Sequence, residues 1–169
     1  MLSLCGFVVF AQIFEPFSAV PTEQRDAISK RLEGYVETYK HREWEKLYGF
    51  VSEVGKGGVD KRTFVVAMSS NHGEDFAQYP DLQEFSPRRT WKNGDGYDIY
   101  GCGRAVREGE SFSGNTEVHA VFEHENWFFT GWTFRDTSEN ACKQLSDPNW
   151  KPDSFLKWNK PMEEVAHRH

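Results

Sequence analysis

The chain has 169 residues, of which 38% are hydrophobic, 27% charged and 15% aromatic, with a formal net charge of −6. That length fits one domain plus a targeting segment, and the mixed composition excludes a disordered or collagen-like chain. The acidic balance lacks the positive field that phosphate backbones require, so no nucleic-acid partner is expected.

Met1 to Phe14 carries no charge and is mostly apolar, followed by Glu15, Pro16 and the small pair Ser18-Ala19. A run shorter than about 17 residues does not span a bilayer but fits a secretory h-region, so no transmembrane span is expected. Residues 1–19 therefore read as a signal peptide cut after Ala19. The basic n-region is missing, as in a signal truncated at its start. The competing reading is an N-terminal strand or helix packed on the domain. Of three cysteines, Cys5 leaves with the signal, which makes Cys102 and Cys142 a disulfide candidate in an oxidising compartment. Two unrelated buried thiols are the alternative.

Ile28, Leu32, Tyr35, Val36 and Tyr39 recur on one helical face, and Pro21-Thr22 signals a start, so a helix is predicted from Thr22. The apolar phase shifts near His41, predicting a second short helix around Trp44, Leu47 and Tyr48 that Gly55, Gly57 and Gly58 end. Asp60 caps a third helix carrying Phe64, Val65 and Met68 and stopping at Asn71-His72-Gly73. From Leu82 the period becomes 2, giving strands over 82–92, 97–106, 112–125 and 126–135. Asn93-Gly94-Asp95-Gly96, Gly109-Glu110 and Glu125-Asn126 are the expected turns. In the last strand, Phe128, Trp132 and Phe134 share one face while Trp127 and Phe129 take the other. Such a strand is covered on both sides, by a partner subunit or by Trp150, Phe155, Leu156 and Trp158 of the tail. Helices followed by long antiparallel strands define an α+β domain over 22–136, with 137–169 as a C-terminal extension packing on it and a frayed end.

That order resembles the nuclear transport factor 2-like (SnoaL-like) superfamily. The strings carrying the resemblance are Tyr35-Val36-Glu37-Thr38-Tyr39-Lys40, Arg42-Glu43-Trp44-Glu45-Lys46-Leu47-Tyr48, Phe64, Tyr97-Asp98-Ile99-Tyr100-Gly101-Cys102 and Asn126-Trp127-Phe128-Phe129, within residues 24–135. The resemblance implies a cystatin-like cone with a pocket between helices and curved sheet, homodimerisation through the sheet, and either isomerase, dehydratase or cyclase activity or none. Fold alone does not choose among these.

Asp98, Tyr100, Cys102 and Arg104 alternate on one strand face, where a carboxylate, a phenol and a guanidinium can orient a polar ligand or act as base and oxyanion partner. An exposed cross-strand charge network is the plainer alternative. Glu117 and His119 form a second acid–base candidate, and His72 at a helix end a third. Tyr35, Tyr39, Phe85, Tyr100, Phe122 and Trp132, with Arg104, are candidates for lining an apolar ligand cavity, although ordinary core explains many aromatics. No metal is expected, since His119 and His124 point to opposite faces of a strand. Gly101-Cys102-Gly103-Arg104-Ala105-Val106 departs from the dinucleotide fingerprint, Lys56-Gly57-Gly58 from a P-loop, and Gly109-Glu110-Ser111-Phe112-Ser113 from a hydrolase elbow, so no cofactor is expected. The leading expectation is a secreted or periplasmic domain that binds a small apolar or aromatic ligand or serves as an interaction module. A cofactor-free isomerase, dehydratase or cyclase is the alternative, and a cytosolic structural domain the third.

Overall fold

The computed structural model describes residues 14–72 and 79–152. Glu15–Pro16 forms a two-residue strand, β1, followed by a 3-10 turn at Phe17–Ala19. Helix α1 spans Thr22–Lys40 and buries the predicted stripe of Ile28, Leu32, Tyr35, Val36 and Tyr39. It ends at His41, and Arg42 takes the left-handed φ of 53° that turns the chain into α2, Trp44–Leu47. A short helix that patterning missed, α3 at Glu53–Lys56, starts where the Gly55 N–H donates to Ser52 Oγ at 3.0 Å. Helix α4 runs Lys61–Asn71, and Asp60 caps it by accepting from the Thr63 N–H at 2.8 Å.

Four long strands follow: β2 (Asp81–Asn93), β3 (Gly96–Arg107), β4 (Glu110–Glu123) and β5 (Asn126–Asp136). With β1 they form a five-stranded antiparallel sheet in chain order, and the helices pack against it, so the architecture is α+β. The hairpin turns sit one residue earlier than expected after β3 and β4, because Glu108, His124 and Glu125 adopt positive φ there. Gly55, expected to end a helix, instead permits α3 to approach β5. A Cβ at that position would stand 2.7 Å from the Thr130 carbonyl oxygen.

The helix-side core joins α1, α2 and α4 to Tyr97, Ile99, Val118, Ala120, Trp127 and Phe129 of the sheet. The face assignment of β5 needs correction. Val118 pairs with Trp132 but Ala120 pairs with Phe129, so β5 carries an extra residue between them. That bulge reverses the alternation and brings Trp132 onto the helix side, where it packs with the core and Tyr39.

A second, smaller core lies beyond β3, where Phe14, Tyr100 and Leu145 are buried with Trp91, Cys102 and Trp150 around them. The short helix α5 (Ala141–Gln144) is fixed here through the Cys102–Cys142 disulfide, with Cα atoms 5.3 Å apart. Arg89 reinforces this strap by donating from Nε to the Leu145 carbonyl at 2.9 Å and from Nη2 to the Asp147 carbonyl at 2.6 Å. Phe14 therefore belongs to one core and Phe17 and Val20 to the other. Cleavage after Ala19 would remove β1, Phe14 and Phe17 together. Most of the apolar N-terminal run, Cys5, and Phe155, Leu156 and Trp158 lie outside the described residues. Among the described residues, no helix is long and apolar enough to cross a membrane.

Candidate functional site

On α1, Ser29, Glu33, Glu37 and Lys40 fall at i, i+4, i+8 and i+11 and so flank the buried Leu32–Val36 stripe. On β2, Phe85 pairs with Gly103 and Pro87 with Gly101, which places both on the helix side. Strand β1 pairs only with Thr90 and Arg89, leaving the outer edge of the first half of β2, away from β3, without a neighbouring strand among the described residues. Pro87 fits such an edge, where its missing N–H forfeits no ladder bond. Between α1 and this edge lies an open groove of about 590 Å³. Its floor is Leu32, Val36, Phe85 and Pro87, and Glu33, Glu37, Lys40 and Glu84 line it as well.

These charges are mostly paired. Glu37 binds Lys40 and His41, each at 3.1 Å, and the Lys40 hydrogen bond holds its pKa below the usual carboxylate range. Glu84 is paired with Arg104 across β2 and β3, which lowers the carboxyl pKa and raises that of the guanidinium. Glu33 has no ion-pair partner among the described residues.

Two histidine–carboxylate pairs lie elsewhere. His72 is buried at the end of α4, with Nδ1 2.8 Å from Asp81 Oδ1, and Asp81 Oδ2 accepts from Arg42 Nε at 2.8 Å. The rings of Trp44 and Tyr39 pack on His72 at 4.9 and 5.8 Å. On the opposite sheet face, Asp98 is buried and hydrogen-bonded to His119 Nδ1 and, at 3.3 Å, to Asn93 Nδ2. That bond to Asp98 raises the His119 pKa above its ordinary value. Two register pairs along, on the same face, the Tyr100 hydroxyl donates to Glu117 Oε1 at 2.9 Å, and Arg135 holds the other carboxylate oxygen. Burial, then Glu117, raises the Tyr100 pKa, which keeps the phenol protonated. In either pair the carboxylate fixes the ring through Nδ1.

The seven expected ligand contacts do not share one cavity. Tyr35, Tyr39 and Trp132 sit together in the helix-side core, where burial raises both tyrosine pKa values. Phe85 faces the groove. Tyr100 lies under the strap, and Arg104 is spent on Glu84 rather than on Asp98. Phe122 is 50% exposed beside Trp127. His119 meets Asp98 rather than Glu117, its expected partner, which is bound instead by Tyr100 and Arg135. Asp81 and Arg42 as partners of His72 were not legible, because no local spacing links positions 42, 72 and 81. No local pattern singles out Ser29, Glu33 or Glu37, which lie among the polar residues of α1.

No protein-family model and no curated protein matches the chain. Among solved structures, the Bdellovibrio bacteriovorus protein Bd1075 is similar in fold, with a TM-score of 0.51 at 14% identity over 69% of this chain. The likeness takes in 42% of the Bdellovibrio chain, so it concerns less than half of that protein. At this identity it speaks for the fold alone.

Proposed function

We propose that this chain is a nuclear transport factor 2-like domain that acts as a binding module and takes a small, partly apolar ligand in the groove between α1 and β2. The observation that carries this reading is the apolar floor of Leu32, Val36 and Phe85 left open in a space of about 590 Å³. Ligand sites are concave, apolar and rimmed by few polar groups, and a volume of roughly 300–1,000 Å³ suits a small molecule. Export to an oxidising compartment is part of the proposal, supported by the Cys102–Cys142 bond and the apolar N-terminal run.

The neutral dye N-phenyl-1-naphthylamine tests the groove. Its fluorescence is expected to rise saturably with the wild-type protein and to lose that rise in Ser29→Trp, which fills the groove. An unchanged rise in the variant overturns the reading. A second reading, a cofactor-free isomerase, dehydratase or cyclase, is favoured by the carboxylate-held rings of His72 and His119.

A further inference from the structure

We infer that the groove between α1 and β2 selects amphipathic cations, with the carboxylate of Glu33 receiving the positive group while Phe85, Leu32 and Val36 hold the apolar body. The inference rests on the ligand-binding reading and adds the chemical class of ligand.

Three observations converge on it. Of the charges lining the groove, Glu37 is neutralised by Lys40 at 3.1 Å and Glu84 by Arg104, which leaves the Glu33 carboxylate as the one uncompensated among the described residues. A groove with one unpaired anion favours a monocation and penalises an anion of the same shape.

The groove also follows the C-terminal half of α1, from Ser29 to Lys40. The carbonyl end of a helix carries a partial negative charge that favours cations near its last turn. That field acts at the Lys40 end of the groove, beyond Glu33.

The floor supplies the third observation. Phe85 offers an aromatic surface in the groove, which suits an ammonium as well as its hydrocarbon body. The whole chain, at −6, attracts a cation from solution in the same sense.

Three probes of one shape and different charge test the proposal: 2-phenylethylammonium, 2-phenylethanol and 3-phenylpropionate. Each is titrated into the full chain and followed by amide shifts at Val36 and Phe85. The ammonium is expected to bind at least tenfold more tightly than the carboxylate, with the alcohol between them. Glu33→Gln is expected to bring the ammonium down to the level of the alcohol, and added salt to weaken the ammonium alone. Equal binding of all three probes, or an ammonium preference that survives Glu33→Gln, overturns the cation inference while leaving the binding reading intact. Absence of saturable shifts at the groove with any probe overturns both.

Discussion

Gly101 of β3 lies directly beneath Phe85 of β2: a Cβ built at Gly101 would stand 2.9 Å from the Phe85 ring and 2.3 Å from the Ser86 carbonyl oxygen. The missing side chain allows the phenyl group to lie down as the groove floor. Gly101→Ala is therefore expected to lift β2 locally, costing about 1–3 kcal/mol by overpacking. Urea unfolding measures the loss, and dye binding is expected to weaken in the same variant.

The Asp98–His119 pair makes stability depend on pH in a defined direction. The folded-state pKa of His119 is raised by its hydrogen bond to Asp98. The contribution is then complete below the unfolded histidine pKa of about 6.5 and disappears as pH climbs through the raised folded value. Denaturation midpoints are expected to fall across that window in the wild type, and the fall to flatten in Asp98→Asn.

The strap carrying α5 depends on a covalent tie. Cys102 and Cys142 are 40 positions apart, a loop whose closure contributes about 4 kcal/mol on chain-entropy grounds. Cys142→Ser is expected to lose a large part of that. Hydrogen exchange is expected to quicken first over 141–150, around Arg89 and its carbonyl partners.

Phe17 is buried in the helix-side core. Its replacement by Ala removes a packed ring, and a loss of about 3 kcal/mol is expected in thermal or chemical unfolding. A chain beginning at Val20 lacks Phe14 as well and is expected to melt lower still. Intact mass of exported protein shows directly whether these residues are retained.

Much of the fold was legible because periodic burial is written locally. The stripe on α1, the Asp60 cap and the switch to period 2 each depend on residues close in sequence. The bulge in β5 was not legible, since one extra residue on a strand leaves no mark in composition, and it moved Trp132 to the helix side. The packing of the C-terminal extension and its Cys102–Cys142 tie were expected, but helix α5 was not, because it has four residues and gains its order from Cys102 and Arg89 far upstream. The site was the least legible part. Phe85, one of the expected ligand contacts, lines the groove, but Glu33 and Glu37 gain meaning only from the open outer edge of β2 opposite them. Asp98 and His119 were each readable as candidates but in separate groups, and the pairing of β3 with β4 joins them, while Arg42, His72 and Asp81 are joined by no local spacing.

The central claim is that ligand enters between α1 and β2. Two-dimensional amide spectra recorded during titration with N-phenyl-1-naphthylamine address it most directly. The account predicts saturable shifts centred on Leu32, Val36, Gln83 and Phe85. Shifts centred instead on His72, on His119 or on Phe122 would contradict it.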